Sequence, residues 1–308
     1  DKNTRLKEEI SFYSAIYDAS DFDKIAKDFC RQQIERLEVG KKAQFFQEEA
    51  EKIIMLLNYI LKNKNEILER ELSISILSNS KAWEEKYKKK ILKILRQNER
   101  FVSLVENCED EKEADKVILE ECNIFSNPSY IYFKGSGTIT LENGNSIKIF
   151  SDIPLALSSA AISKITAFEI VDKKIMTVEN LTSFNRIKKT NTFFIFLSGY
   201  HNSAKQIFLK TIFTQNSNKE YYHFGDIDPD GFFILDNLRS KTQIDFKAYK
   251  MGMAELQKYS SYTRPLEEND LRKADSLIAK GKYTEILDYM LKHNVKLEQE
   301  IISWKEAD

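Results

Sequence analysis

The stretch Glu220-Tyr-Tyr-His-Phe-Gly-Asp-Ile-Asp-Pro-Asp-Gly-Phe232 decides how this chain is read. Glu220–Phe224 has the length and the aromatic content of a strand, and Gly231–Leu238 carries a helical pattern. Between them lies a loop with aspartates at alternate positions. Upstream, Ala204–Phe213 reads as a helix. Thr192-Phe-Phe-Ile-Phe-Leu197 is apolar nearly throughout, as a strand covered on both faces should be, and Ile175–Val178 is a second short apolar run. Downstream, Ile244–Met251 predicts a further strand. Strand and helix alternating in this way imply a parallel sheet with right-handed crossovers, and such sheets bind ligands at the carboxyl ends of their strands. The tail from Leu266 to Ile302 is helical again, with Gly281 as a break.

Further from the motif the periodicity changes. Arg5 to about Arg100 predicts long amphipathic helices, with Ile53, Ile54, Leu56, Leu57, Ile60 and Leu61 as an apolar stripe. Asn63–Asn65 is a plausible break. Leu72–Leu77 alternates strictly and predicts a strand or extended segment. Ser78–Asn79–Ser80 then caps a helix from about Lys81, which puts Trp83, Tyr87, Ile91 and Leu95 on one face. Tyr130–Lys134, Thr138–Glu142 and Ser146–Phe150 predict strands, with Asn143–Gly144–Asn145 as the tight turn. The expected organisation is a helical arm region over 1–126, a small β-hairpin connector over 127–168 and an α/β domain over 169–308.

Hydrophobic residues at 42% and aromatics at 12%, with only 9 Gly and 4 Pro, exclude disordered and collagen-like classes. No apolar run reaches the length of a membrane span, and no signal-peptide core stands at the N-terminus. Cys30, Cys108 and Cys122 form neither a zinc pattern nor a disulfide framework, which suits a reducing cytoplasm. His201, His223 and His293 are too scattered for a histidine-based metal centre. The chain opens at Asp1 without Met, as expected of a trimmed chain or the ordered part of a longer one. The net charge of −1 speaks mildly against nucleic acid, yet charge is uneven. Lys81–Arg100 holds eight Lys/Arg against three Glu, and Val105–Cys122 holds eight acids against two Lys. A neutral total can hide a phosphate-binding face, although both segments also read as solvated helix faces.

Two strands end in carboxylates, one in Val178-Glu179-Asn180 and the other in Gly225-Asp226-Ile227-Asp228-Pro229-Asp230. Clustered carboxylates resist ionising together unless a cation joins them, and oxygen-rich sites of this kind suit Mg²⁺ or Mn²⁺. Glu179, Asp226 and Asp228 are therefore the candidate catalytic and metal-holding residues, with Asp230 as a further metal candidate. An EF-hand loop would need a glutamate where Asn237 stands, and Pro229 also opposes that reading. Asp-Pro-Asp-Gly is turn chemistry by itself, and the second carboxylate at a matching strand end is what weakens a turn-only reading. Lys81, Lys134, His201 and Lys205 are candidates for phosphate contacts, each alone being more often a surface residue. Tyr221, Tyr222 and Phe232 read as core rather than as base-stacking platforms.

A glutamate after a first strand, Leu197-Ser-Gly199 after a second and Asp-x-Asp after a third resemble the Toprim domain. The form Asp226-x-Asp228-Pro229-x-Gly231 is similar to the A subunit of type IIB topoisomerases. Several short segments together resemble the JetD family of Wadjet anti-plasmid systems. They are Glu71–Lys81, Tyr132-Phe-Lys-Gly135, Val178-Glu-Asn-Leu-Thr-Ser-Phe184, Gly199-Tyr-His-Asn202, Phe224–Phe232 and Leu297-Glu-Gln-Glu300. The resemblance runs from about residue 60 to the end and implies a Toprim-like parallel sheet flanked by helices. It also implies a homodimeric, Mg²⁺- or Mn²⁺-dependent endonuclease that cuts double-stranded plasmid DNA with an SMC-type, condensin-like complex. Carried over by position, Glu179 is the general acid/base or metal-linked carboxylate, and Asp226 and Asp228 are metal ligands. No winged-helix tyrosine is identified, so hydrolysis by activated water is expected rather than a covalent intermediate. Two other readings use the same residues: a non-catalytic DNA-binding or dimerisation subunit with a structural metal, and a primase-like nucleotidyl transferase. The Leu297–Glu300 segment either closes the site or only packs on it.

Overall fold

The computed structural model describes residues 2–105, 108, 110–128, 130–150, 153–197 and 203–306. It divides into two compact units, Asp1–Asn127 and Pro128–Asp308.

The first unit is helical: α1 (Lys2–Asp18), α2 (Lys24–Glu38), α3 (Gln47–Lys62), α4 (Glu69–Leu77), α5 (Lys88–Arg96), α6 (Glu99–Val105) and α7 (Glu111–Glu121). Two short parallel strands, β1 (Ile67–Leu68) and β2 (Ile124–Phe125), pair the segment before α4 with the segment after α7. The whole α3 stripe from Ile53 to Leu61 is buried, and so are Trp83, Tyr87, Ile91 and Leu95. The segment expected to be extended, Leu72–Leu77, is instead helical within α4. Local hydrogen bonds outweigh a six-residue alternation. The Glu71 carboxylate accepts from the Leu68 N–H at 2.8 Å, satisfying a first-turn donor. The Ser73 hydroxyl, buried rather than outward-facing, accepts from the Trp83 N–H at 3.0 Å. The cap expected near Lys81 is Asn79, whose Oδ1 accepts from the backbone of Lys81 and Ala82. The helix then opens with a π turn, Trp83–Tyr87, before α5.

The second unit is mixed α/β. A six-stranded sheet runs in the order β11-β10-β8-β9-β3-β6. Its strands are β3 (Tyr130–Lys134), β6 (Leu155–Ser158), β8 (Lys174–Val178), β9 (Thr192–Phe196), β10 (Glu220–Phe224) and β11 (Lys247–Ala248). The four strands β11, β10, β8 and β9 are mutually parallel, whereas β3 pairs antiparallel with both β9 and β6. The hairpin of β4 (Gly137–Leu141) and β5 (Ser146–Ile149) forms a separate three-stranded sheet with β7 (Ile165–Ile170). Two of the strands between 127 and 168 thus extend the large sheet instead of standing in a connector. The strand expected over Ile244–Met251 pairs only at Lys247 and Ala248, because its apolar residues Ile244 and Phe246 turn into the core.

The helices here are α8 (Ser159–Ile162), α9 (Leu181–Arg186), α10 (Ser203–Asn216), α11 (Pro229–Thr242), α12 (Met253–Lys258), α13 (Glu268–Ala279), α14 (Thr284–His293) and α15 (Gln299–Lys305). The central strands β8, β9 and β10 are largely buried on both faces. Ile175, Phe193, Ile195 and Tyr221 pack with Phe208, Leu209 and Ile212 of α10 and Leu235 and Leu238 of α11. The alternate residues Met176, Val178, Phe194 and Phe224 pack with Leu256, Leu277, Leu287, Met290 and Ile302 of the C-terminal helices. Strand periodicity sends successive side chains to opposite cores, which explains the near-continuous apolar runs. Among the described residues no helix is long and apolar enough to cross a membrane.

Candidate active site

β8 and β10 are parallel neighbours with Val178 opposite Phe224, so the residues that follow them leave the sheet side by side. Glu179 still belongs to the ladder, its N–H donating to the Phe224 carbonyl at 3.0 Å. Its side chain folds back over Gly225. A Cβ built there would lie 2.6 Å from Glu179 Oε2 and 2.9 Å from His223 Nε2, so a glycine is what admits the carboxylate. The Asp226 N–H donates to the Glu179 carboxylate. Glu179 Oε2 is nevertheless buried without a hydrogen-bond partner.

The aspartates are held from two directions. Asp226 Oδ1 accepts from the Gln299 N–H at 2.7 Å. Asp228 caps α11, its Oδ1 accepting from the Gly231 N–H at 2.6 Å, with Pro229 at the first helical position. Asp230 is drawn aside by the buried Lys273, whose Nζ donates to its Oδ1 at 2.8 Å. Gly231 packs so tightly that a Cβ would overlap the Asp226 carbonyl oxygen, a backbone atom unable to yield. Gly231→Ala is expected to cost about 3 kcal/mol of stability through overpacking, measurable by denaturant melts. An unchanged midpoint would show that the loop and helix separate freely.

Charge is confined here at high cost. Burial, then Asp226, Asp228 and Asp230 in turn, raises the Glu179 carboxyl well above the usual range. Burial and the neighbouring Asp228 push Asp226 up to about 7, against the pull of the Gln299 N–H. Burial pushes Asp228 up to about 6, partly offset by the Gly231 N–H, with Asp230 and Asp270 adding to the rise. Such a cluster favours protons or a cation. Among the described residues, no three His, Cys, Asp or Glu side chains are placed to ligate one ion together. The donors nonetheless fit Mg²⁺ or Mn²⁺. Mg²⁺ commonly takes one or two carboxylates with water and substrate phosphate oxygens rather than an all-protein cage, and Glu179 Oε2 is a buried acceptor with nothing to accept from.

Of the candidate phosphate-binding residues, Lys81 is exposed and belongs to the helical unit. His201 and Gly199 lie outside the described residues. Lys134 is buried rather than exposed, donating to the carbonyl of Ile187 at 2.7 Å and of Asn185 at 3.4 Å, at the end of α9. It also lies over the Phe184 and Phe194 rings. Lys205 is likewise buried and donates to the Leu197 carbonyl. Apolar neighbours on strands and helices turned these two cations inward, where carbonyls satisfy them. Lys134→Met should therefore lower stability by about 2 kcal/mol. An unchanged denaturation midpoint would refute this. Tyr221 and Phe232 are core residues, as their sequence context suggests.

Several residues at the site carried little or no local signal. Asn180 caps α9, its Oδ1 accepting from the backbone of Thr182 and Ser183, and its Nδ2 donates to the Glu300 carboxylate. Lys273 comes from a helix some forty residues beyond the motif, where nothing in the sequence marks it. Residues 297–300 reach the site because Leu297 exchanges both backbone hydrogen bonds with Ile227. Their Leu-Glu-Gln-Glu pattern was the available clue.

Fold and site together define a mixed α/β protein with a carboxylate cluster at the carboxyl ends of its parallel strands. The family model described as Wadjet protein JetD, C-terminal, matches residues 136–308. That is more than half of the chain, and the chain belongs to the JetD family. The curated Wadjet protein JetD of Bacillus cereus (strain Q1) is 29% identical over 201 residues, which cover 62% of this chain and 49% of the relative. The chain spans about half the length of that relative.

Proposed function

We propose that this chain carries the cutting site of a Mg²⁺- or Mn²⁺-dependent endodeoxyribonuclease of Toprim type, acting on plasmid DNA within a Wadjet defence system. The observation that carries this reading is the buried, unpartnered Oε2 of Glu179 among carboxylates whose ionisation burial opposes. Asp226 and Asp228 would hold the cation, and the hydrogen bonds they accept from the Gln299 and Gly231 N–H groups fix their orientation. A bound cation would polarise the phosphodiester, stabilise the leaving oxygen and acidify the attacking water. Glu179, ionised beside a cation, would be the base that accepts the proton of that water. Family membership supports an SMC-type partner complex, and a homodimer that presents one site to each strand is the assembly that suits a double-strand cut.

The test is cleavage of supercoiled plasmid in Mn²⁺ or Mg²⁺, alone and with the partner complex. Linear product dependent on metal and on Glu179 supports the reading. Cleavage that survives chelation by EDTA would refute it. The alternative is a non-cutting subunit with a structural metal. That alternative predicts metal-dependent stability with no linear product even in the full complex.

A further inference from the structure

The sheet stops hydrogen bonding where its two carboxylate-bearing strands diverge, and one side chain from the far end of the chain fills the gap. Gln299 is fully buried, with 0% of its surface exposed. Its Oε1 accepts from the Asn180 N–H at 3.1 Å, the residue after Glu179. Its Nε2 donates to the Phe224 carbonyl at 3.0 Å, two residues before Asp226. Its own N–H donates to Asp226 Oδ1. A single residue thus ties the end of β8, the end of β10 and one carboxylate. The amide uses both its acceptor and a donor, so no carboxylate or aliphatic side chain of equal length could satisfy both strand ends. The Ile227–Leu297 backbone pair and the contact between Ser183 and Ser303 hydroxyls at 2.9 Å bring the segment to this place.

We infer that Gln299 is a positioning residue that sets the spacing of Glu179 and Asp226 for the cation, an inference that rests on the proposed metal-dependent reading. It does not touch the reacting atoms. It acts as outer-shell partners of metal sites do, orienting carboxylates that would otherwise be pushed apart by their own charge. The C-terminal segment therefore does more than pack on the sheet.

The experiment is calorimetric titration of the whole chain with MnCl₂, alongside thermal melts in EDTA. Gln299→Met keeps the length and the backbone N–H but removes both side-chain bonds, and it should weaken Mn²⁺ binding about tenfold. Ile212→Val, which removes a buried methyl group from α10 in the core on the opposite face of the sheet, should lower the melting temperature and leave Mn²⁺ affinity unchanged. If Gln299→Met does not fold, Gln299→Asn, whose amide is too short to reach both strand ends, carries the same expected loss. Affinity unchanged in the folded Gln299 variant, or weakened equally by Ile212→Val, overturns the inference while metal binding itself stands. No saturable Mn²⁺ binding by the wild type, or full binding by Asp226→Asn, removes the metal reading and the inference with it.

Discussion

Glu179→Gln is expected to lower metal-dependent plasmid cleavage by about a thousand-fold, the equivalent of roughly 4 kcal/mol of charge stabilisation in the transition state. The same substitution should raise the melting temperature of the metal-free protein at neutral pH. The two effects have opposite signs for one reason. The carboxylate that serves a cation is held where, without one, burial and three aspartates oppose its ionisation. Glutamine preserves the shape, can still accept from the Asp226 N–H, and abolishes the charge. A variant inactive because it misfolds would show loss of both activity and stability, so a paired cleavage assay and melt in EDTA distinguishes the cases. Retained cleavage would remove Glu179 from the chemistry. Lost cleavage with an unchanged melt would mean that its charge is already well compensated, contrary to the buried Oε2.

How much of this was legible in the sequence follows from the range of the interactions involved. The strands β8, β9 and β10 announce themselves because both faces are covered, so most positions are apolar or aromatic whichever core they enter, with Thr177 and His223 as buried polar exceptions. The parallel arrangement then follows from the helices between them, and with it the convergence of Glu179 and Asp226 at one edge. Short-range competition was harder to see. Leu72–Leu77 alternates like a strand, yet Glu71 and Ser73 satisfy backbone donors in a way that favours a helix. Lys134 reads as a surface cation beside Gly135, and only the fold reveals carbonyls of Asn185 and Ile187 waiting for it. Gln299 and Lys273 illustrate the limit. Each meets its partner across more than forty residues of chain, a relation that periodicity does not encode.

Stability should fall with rising pH without metal and level out with it. In the unfolded chain, Asp226 and Asp228 titrate near 4, and in the fold at about 7 and about 6. Between those values the folded protein holds more protons than the unfolded chain. The stabilisation is therefore complete below about pH 4 and is lost as pH rises through 6 and 7. Asp226 alone accounts for a loss on the order of 4 kcal/mol, and the raised Glu179 carboxyl extends the decline upward. Mn²⁺ levels the slope, because it replaces the protons and binds more tightly as they leave. At a concentration about a hundred times its dissociation constant it should restore roughly 2.7 kcal/mol. Scanning calorimetry across pH 4 to about 8, in EDTA and in Mn²⁺, tests both limbs. Comparison with Asp226→Asn removes the contribution of the remaining titratable groups. In that variant the metal-free decline should flatten and the Mn²⁺ gain should largely disappear. A wild-type curve parallel to the variant's in EDTA would mean that solvent already reaches these carboxylates, and the case for a cation at this edge of the sheet would fail with it.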